Sequence, residues 1–385
     1  MITVRIPNNL SQELTKPILD DIVAKVFPGV SSYSITNENR NIGRYITAES
    51  ETSVHYICIS NPSNDARNAR LMQFIAPAFV AYWQAKNANK FFDIYLLNPD
   101  NTDKNSYSQL FYRCFLTLGF QIFNLNQLNL NLHPFTSYDD LKRYREENRD
   151  RNPHNRSTYF EEIDDSIAIY GKTFGANAME SFILTLVLRR LLPQKRIIFH
   201  PVLDNDETDL SVKQQEILTS LKIEYGTSIS EANNNDVLLD AAPDRDTPKF
   251  HYNLMRKYGA KQCLLCGCNM EHMIIGSHIE RVADIKKNNA YTDDEKRARI
   301  INGDNGLWLC ANHDKMFEYG LIFFQNRNLV INPNLAPDAR EFITKSIPIK
   351  NFQLPENLFN EQMANFLQCH CQRIGIVEAP NVKKD

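Results

Sequence analysis

Short blocks of hydrophobic and polar residues alternate along the first part of the chain. Blocks rich in β-branched and aromatic residues favour strands, and the longer blocks between several of them favour helices. From residue 166 to residue 226 the order is regular, with three strands separated by two helices. Because strands that alternate with helices form parallel sheets with crossover helices, we predict an α/β domain built on a parallel or mixed sheet.

A polar segment, residues 226–250, interrupts this pattern. Its composition, rich in Asn, Asp, Ser and Pro, is typical of loops and linkers. We therefore place a domain boundary near residue 245. The predicted division is residues 1–245 as the α/β domain, residues 246–335 as a second and smaller module, and residues 336–385 as a C-terminal helical extension.

The composition is that of a globular protein, with 43% hydrophobic and 23% charged residues. The longest apolar runs are too short to cross a bilayer, and the first residues lack the layout of a signal peptide. We therefore expect a cytoplasmic protein, whose eight cysteines are metal ligands or core residues rather than disulfides. The formal net charge of −3 does not by itself indicate a nucleic-acid binder, so that function needs a local argument.

Two pairs of potential zinc ligands lie in the second module. Cys263 and Cys266 form a Cys-x-x-Cys, and Cys310 and His313 form a Cys-x-x-His. Structural zinc takes four sulfur or nitrogen ligands in a tetrahedron, and two tight turns that each offer a pair are the usual source. We therefore predict a structural Zn²⁺ on these four residues. Cys268 stays open as an alternative to Cys266, because the segment reads CLLCGC.

The residues around these pairs resemble the His-Asn-His (HNH) endonuclease family, whose unit is a β-hairpin followed by a helix around one catalytic metal. The segment GSHI, which contains His278, is similar to the end of the family's first strand. The segment NGLWLC, which begins at Asn305, is similar to the start of its second strand. The last metal ligand, at the start of the helix, is then Asp314, where the family also has His. Ser277 stands where the family often has an acidic residue or His, so one expected ligand is missing.

The resemblance implies a zinc-stapled ββα-metal nuclease module within residues 246–335. Phosphodiester hydrolysis needs a base for the attacking water, and a histidine with an ordinary pKa, roughly 6.5, can take a proton at neutral pH. His278 fits this role, with a plain core histidine as the alternative. Asn305 would fix the loop and orient His278 by a side-chain hydrogen bond, which is compatible with its place in the turn NGDNG.

Asp314 and Glu318 are four residues apart, so on a helix they share one face. Two carboxylates there would repel each other unless a cation binds both. Because oxygen ligands favour a hard ion, we predict a catalytic Mg²⁺ on this pair, or Mn²⁺ in its place, distinct from the zinc. The alternative is an acidic surface pair near a helix N-terminus.

Basic residues of the same window could bind the phosphates of a nucleic acid. Residues 256–315 contain ten Lys or Arg and eight Asp or Glu, and a metal would neutralise some of the acids. Arg281 could also stabilise the charge of the transition state. The predicted phosphate-binding residues are Arg281, Lys286, Lys287, Arg297 and Arg299.

These patterns predict a metal-dependent endonuclease that acts on double-stranded DNA, with a homodimer as one possible assembly. A restriction enzyme or another anti-phage nuclease would have this layout, with residues 1–245 in target recognition or regulation. The alternative is a zinc-ribbon module that binds nucleic acid or protein without cutting. It explains the four zinc ligands but not His278, Asn305 and the carboxylate pair together. A weaker idea, catalysis by the first domain, depends on residues 171–175 and on the acidic segment 204–209.

Overall fold

The chain forms two compact units. The first consists of residues 1–150 and 175–194, and the second consists of residues 151–174 and 195–385. The computed structural model describes residues 1–40, 43–59, 75–97, 106–125, 132–147, 158–203, 210–230, 248–347 and 351–376.

Two of the sequence expectations fall on residues outside these ranges. The domain boundary near residue 245 lies in the undescribed segment 231–247, so the proposed three-part division stays a prediction. The acidic segment 204–209 is also outside the described residues.

The first unit contains a six-stranded sheet in the order β2-β1-β3-β4-β5-β6. All its strands run parallel to one another except β3, which is antiparallel to both of its neighbours. This confirms the prediction of a mixed sheet. The elements are β1 (Ile2–Pro7), α1 (Lys16–Val26), β2 (Tyr33–Glu38), β3 (Tyr45–Glu49), β4 (Ser53–Ile59), α2 (Ala76–Asn87), β5 (Phe91–Leu97), α3 (Ser106–Thr117), β6 (Gln121–Asn124), α4 (Tyr138–Glu147) and α5 (Gly175–Leu191).

Helix α1 shows why this unit has a core. Its buried residues are Leu19, Ile22, Val23 and Val26, a spacing that places them on one face of a helix. They join the apolar residues of β1, β3 and β4 in one cluster. Burial of such side chains contributes about 1.5–3 kcal/mol each relative to exposure, which is enough to hold the helix against the sheet.

The second unit begins with a smaller sheet in the order β7-β8-β9-β10, and β11 also pairs with β9. Strands β7 and β8 form an antiparallel hairpin, whereas β8, β9 and β10 run parallel. The predicted alternation of strands and helices between residues 166 and 226 is therefore confirmed. The elements are β7 (Thr158–Ile163), β8 (Ser166–Lys172), β9 (Arg196–Leu203), α6 (Val212–Ser220), β10 (Ile223–Tyr225) and β11 (Ile229–Ser230).

The rest of the second unit contains a β-hairpin followed directly by a helix, as the resemblance implies. Its hairpin pairs β12 with β13 from Ile274 opposite Cys310 to His278 opposite Gly306. Among the helices of the described ranges, none is long and apolar enough to cross a membrane. The elements are α7 (Pro248–Tyr258), β12 (Ile274–His278), α8 (Val282–Lys287), α9 (Asp293–Ile301), β13 (Gly306–Cys310), α10 (Ala311–Glu318), β14 (Ile322–Gln325), β15 (Asn328–Ile331), α11 (Pro337–Ser346) and α12 (Glu361–Arg373).

Helix α7 packs closely on this hairpin because glycine occupies the contact. A Cβ atom on Gly306 would lie 2.6 Å from a Leu254 methyl carbon and 2.7 Å from the Phe250 ring, closer than packed carbon atoms approach. Phe250 and Leu254 are fully buried here together with Trp308 of β13. The glycine therefore lets an aromatic helix face cover the hairpin, and the strand that carries His278 pairs with this covered strand.

A buried ionic cluster connects α7 to β7. The Glu161 carboxylate lies 2.6 Å from Nδ1 of His251 and 2.5 Å from Nζ of Lys261, and it accepts a 2.7 Å hydrogen bond from Tyr170. Burial alone would raise the pKa of Glu161, but the hydrogen bonds and positive charge of His251 and Lys261 outweigh it and lower the pKa to about 2. Because Lys261 precedes Cys263 by two residues, this cluster also anchors the loop that carries the first cysteine pair.

Candidate functional site

The two ligand pairs predicted from the sequence converge at one point. Cys263 and Cys266 lie in the turn after α7, Cys310 is the last residue of β13, and His313 lies in the first turn of α10. Their Sγ and Nδ1 or Nε2 atoms all lie within 4.8 Å of one another. Among the described residues no other group of three or more Cys, His, Asp or Glu converges in this way. We call this group the Cys3His cluster.

The distances within the Cys3His cluster fit a tetrahedral metal ion. Nδ1 of His313 lies 3.4 Å from Sγ of Cys263 and 3.2 Å from Sγ of Cys310, and the Sγ atoms of Cys266 and Cys310 are 3.9 Å apart. Zinc bonds of about 2.3 Å to sulfur and about 2.0–2.1 Å to nitrogen give tetrahedral edges of roughly 3.6 Å between S and N and roughly 3.8 Å between two S atoms. The cluster could therefore hold such an ion with little rearrangement.

Cys268, the alternative to Cys266, is not part of the cluster. Its carbonyl accepts a 2.8 Å hydrogen bond from the N–H of Cys263, which closes the turn between the two. Burial, together with the neighbouring thiols of Cys263 and Cys310, raises the pKa of Cys266 to about 12. A bound cation would reverse this effect, because it stabilises the thiolate that the crowded thiols disfavour.

His278 ends strand β12 and its ring is fixed on two sides. Its Nε2 atom lies 2.8 Å from the carbonyl oxygen of Ile300, and the ring stacks on Phe250 at 3.8 Å between centroids with a 13° angle between planes. Because a carbonyl oxygen can only accept, Nε2 must carry the hydrogen. The neutral ring therefore has its lone pair on Nδ1, the atom that can take a proton.

Asn305 is fully buried and fixes the backbone on both sides of the hairpin. Its Oδ1 accepts a 2.7 Å hydrogen bond from the N–H of Glu280, and its Nδ2 donates to the carbonyls of Glu280 and Arg299 at 3.2 and 3.0 Å. Both hydrogens of Nδ2 are thus used on backbone oxygens. The expected hydrogen bond between the Asn305 side chain and His278 is therefore not formed, and the Ile300 carbonyl contacts His278 instead. Asn305 holds the backbone segments that carry His278 and Ile300.

Asp314 lies in the first turn of α10 and is buried. The hydroxyl of Ser277 donates to Oδ1 of Asp314 at 2.5 Å. Ser277 stands at the position where the resemblance implies a further metal ligand, and it contacts Asp314, the predicted ligand. A hydrogen bond of this kind fixes the orientation of a carboxylate, and this contact of Ser277 was not identified from the sequence.

Glu318 lies one turn further along α10, as its spacing predicts, and it is partly exposed. Its Oε2 atom accepts a 2.6 Å hydrogen bond from Nζ of Lys315. The hydrogen bond and charge of Glu318 raise the pKa of Lys315, which is exposed. An exposed pair of this type is weak and can rearrange when an ion binds.

Residues 263–325 match the family model described as HNH endonuclease. This part of the chain is an HNH endonuclease module. The match covers both ligand pairs together with His278, Asn305 and Asp314, which confirms the resemblance found in the sequence. HNH nucleases use divalent metals and act on DNA. No curated protein matches the chain.

His278, Asp314 and Glu318 of the HNH module line one cleft of about 340 Å³. Two of the predicted phosphate-binding residues, Arg281 and Lys286, line the same cleft. The remaining lining residues are Val282, Ala283, Phe317, His370 and Arg373. The cleft therefore brings a candidate base, two carboxylates and several cations together in one space, which is the set of groups that phosphodiester hydrolysis needs.

Helix α12 supplies two cleft residues that sequence reasoning missed. His370 stacks on Phe317 of α10, with 4.0 Å between ring centroids and 2° between planes, and its Nδ1 accepts a 3.3 Å hydrogen bond from Nη2 of Arg373. Burial and the charge of Arg373 lower the pKa of His370 to about 3, so this ring is neutral at pH 7. No motif spacing could have identified these residues, because they lie outside the HNH match.

The other three basic residues predicted to bind phosphates do not line this cleft. Lys287 is exposed, and Arg297 lies 3.6 Å from Asp294 on the same helix. Arg299 forms a 2.5 Å ion pair with Glu280. Its guanidinium also lies over the rings of Tyr291 and Phe366, at 4.5 and 4.7 Å from their centroids. We therefore assign Arg299 to the scaffold of the HNH module and remove it from the phosphate-binding set.

Proposed function

We propose that this protein is a metal-dependent DNA endonuclease whose active site is the cleft of the HNH module. One observation carries the proposal. His278, Asp314 and Glu318, which the sequence assigns to catalysis, line a single cleft, while the Cys3His cluster forms a separate and closed site. A base and a pair of oxygen ligands in one cleft suit hydrolysis of a phosphodiester.

The donor chemistry of the two sites fits two different ions. Three thiols and an imidazole suit Zn²⁺, which we assign a structural role because all four ligand positions come from the protein. Asp314 and Glu318 offer oxygen only, and Mg²⁺ is commonly held by one or two carboxylates with waters and substrate phosphates in the other positions. We therefore assign Mg²⁺, or Mn²⁺ in its place, to the cleft. When bound, this ion would neutralise charge on the scissile phosphate and the leaving oxygen.

The protein's own groups would prepare the attack of water. The Ile300 carbonyl holds the hydrogen on Nε2 of His278, so that Nδ1 accepts the proton of the water. Asn305 keeps the segments of His278 and Ile300 in register through its three backbone hydrogen bonds. Ser277 holds one oxygen of Asp314 and thereby orients the carboxylate that would bind the ion.

The biological role that we propose is restriction or another form of anti-phage defence in the cytoplasm. The HNH match covers only residues 263–325, and a mixed α/β unit precedes it. We assign residues 1–245 to target recognition or regulation, residues 246–335 to cleavage and residues 336–385 to a helical extension. The proposed substrate is double-stranded DNA, and a homodimer would allow both strands to be cut.

Cleavage of plasmid and phage DNA, with and without Mg²⁺, tests the proposal. We expect cleavage only with added Mg²⁺ or Mn²⁺, and a loss of roughly 10²–10⁴ in rate for His278→Ala. His272→Ala is the matched control, because His272 is in the same module, with its side chain 60% exposed. A His278→Ala protein that is folded and cuts at the wild-type rate would rule out the assigned base. Binding of DNA without any cleavage would favour the zinc-ribbon binding module instead.

A further inference from the structure

Helix α12 is fixed against the catalytic helix α10 by two contacts. The first is the stack of His370 on Phe317. The second is a 2.6 Å hydrogen bond from Nη2 of Arg373 to the carbonyl of Glu318, at the last residue of α10. Glu318 is also a proposed ligand of the catalytic ion, so Arg373 directly contacts a residue of that ion's site.

The guanidinium of Arg373 is only partly satisfied by these contacts. Its side chain is 23% exposed and lines the cleft, and its Nε atom is buried without a hydrogen-bond partner in the described part of the chain. The nearest carboxylate, Asp284, places Oδ2 3.9 Å from this Nε, which is beyond hydrogen-bond distance. Such a buried donor without a partner is costly unless a ligand satisfies it.

Asp284 is shared between two guanidiniums. Its Oδ2 atom also lies 3.9 Å from Nε of Arg281, the other arginine of the cleft. One carboxylate cannot neutralise two cations, so this side of the cleft keeps an excess of positive charge. Because both guanidiniums lie 3.9 Å from this one carboxylate, an anion that contacts both would be stabilised.

The whole cleft has room for such an anion. Its lining contains three cations, Arg281, Lys286 and Arg373, and two carboxylates, Asp314 and Glu318. A divalent ion bound to the two carboxylates would neutralise their negative charge, so that they would no longer repel an anionic substrate. What then remains is a positive cleft beside the ion, suited to a phosphate of the nucleic-acid backbone.

We propose that Arg373 binds a backbone phosphate of the substrate through the guanidinium hydrogens that Nη2 does not use on Glu318 and His370, with Arg281 as its partner. This inference rests on the proposed function, since the phosphate is that of DNA in the HNH cleft. It makes α12 part of the substrate-binding surface, although the helix lies outside the HNH match. Arginine suits this role because Nη2 can hold the Glu318 carbonyl and His370 while the other nitrogens of the same cation still offer donors to a phosphate, whereas lysine has a single nitrogen.

Binding of a fluorescein-labelled DNA duplex, measured by anisotropy over a range of salt concentrations, tests the proposal. All proteins carry His278→Ala so that the duplex stays intact. Loss of one phosphate contact should lower the slope of log affinity against log salt by about 0.9. We expect this change for Arg373→Gln, together with a loss of affinity of about tenfold, the usual scale for a charge-assisted hydrogen bond. Lys345→Gln is the charge-matched control, since Lys345 pairs with Glu341 on the exposed side of α11.

The variant Arg373→Lys distinguishes loss of phosphate binding from loss of the contact between α12 and α10. It keeps the positive charge and a donor for the Glu318 carbonyl, so we expect a normal salt slope and normal folding. Affinity should nevertheless fall severalfold, because a single ammonium nitrogen must serve both the Glu318 carbonyl and the phosphate, whereas the guanidinium has separate nitrogens for them. Zinc content and thermal unfolding are measured for each variant.

The outcomes separate this inference from the proposed function. If the wild type cuts DNA, and folded Arg373→Gln or Arg373→Lys binds the duplex with wild-type affinity and salt slope, Arg373 does not bind phosphate and only the inference fails. If the wild type neither binds nor cuts DNA, the endonuclease proposal fails and the inference fails with it. A lower salt slope for Arg373→Gln than for Lys345→Gln, in a protein that cuts DNA, supports both.

Discussion

The Cys3His cluster and the cleft proposed as the active site both involve the HNH module, yet they are organised in opposite ways. In the cluster four ligand atoms already converge to within 4.8 Å, and three of the four side chains are buried. In the cleft two carboxylates stand one helical turn apart, each held by a neighbour, Ser277 for Asp314 and Lys315 for Glu318. A closed set of protein ligands is typical of a structural metal, and an incomplete set leaves positions for water and substrate. The difference teaches which site should control folding and which should control rate.

The largest effect should follow from Cys310→Ser in the closed site. Structural zinc contributes about 10–16 kcal/mol of apparent binding free energy to small metal-dependent folds, so loss of one thiolate should remove both the metal and the fold of the module. Elemental analysis and thermal unfolding would measure this. Cys268→Ser is the matched control, since Cys268 lies in the same turn but outside the cluster, and it should keep about one zinc per chain. Soluble, active protein without zinc would contradict the structural role.

A smaller effect on stability, and a large one on rate, is expected for Asp314→Ala in the open site. Cleavage should fall by at least roughly 10²-fold, because a ligand of the catalytic ion is lost, while zinc content and unfolding temperature stay close to those of the wild type. Asp338→Ala removes an exposed carboxylate from α11 and serves as the control. If Asp314→Ala lost zinc and rate together, the two sites would not be independent.

The ionic cluster around Glu161 belongs with the scaffold, and pH should reveal it. The pKa of Glu161 is lowered to about 2, so its stabilising contribution is present above the unfolded value, near 4.5, and is lost as pH falls toward 2. Glu161→Gln should therefore unfold more easily than the wild type at pH 6. The gap in free energy of unfolding between the two proteins should narrow as pH falls through this window, because Glu161 becomes protonated and loses its charge. Zinc release in acid affects both proteins alike and does not change this gap. A gap that stays constant would show that the Glu161 charge has no stabilising role.

The smallest effect concerns Ser277. Loss of a hydrogen bond to a metal ligand typically lowers metal affinity by about 10–100-fold, so Ser277→Ala should need more Mg²⁺ for half-maximal cleavage. The rate at saturating Mg²⁺ should change little, because His278 and Asn305 are untouched. A titration of rate against Mg²⁺ measures both quantities. An unchanged half-saturation would mean that Ser277 only fills space beside Asp314.

The sequence predicts the parts of the site that depend on local spacing. Cys263 and Cys266, like Cys310 and His313, are pairs within a single turn, so their geometry is set by a few residues. Asp314 and Glu318 are likewise fixed by helical periodicity. The alternating strands and helices between residues 166 and 226 were predictable for the same reason, since periodicity is a local property.

What could not be predicted depends on tertiary packing. Arg373 meets Glu318 across 55 positions of sequence, and nothing in the segment QCHCQR indicates a cleft. Arg299 looks like any other surface cation in the sequence, and only its contact with Glu280 shows that it belongs to the scaffold. The predicted hydrogen bond from Asn305 to His278 was wrong for the same reason. The group that contacts His278 is the Ile300 carbonyl, which comes from the end of another helix.

The independence of the two sites is tested most directly by one titration. Protein purified with its zinc and freed of Mg²⁺ by dialysis is given plasmid DNA and increasing Mg²⁺, and cleavage rate and zinc content are measured on the same samples. We predict no cleavage before Mg²⁺ is added, a saturable rise in rate as it is added, and a constant content of about one zinc per chain throughout. Full cleavage without added ion at that same zinc content would contradict the account, because the closed site or another group would then perform the chemistry.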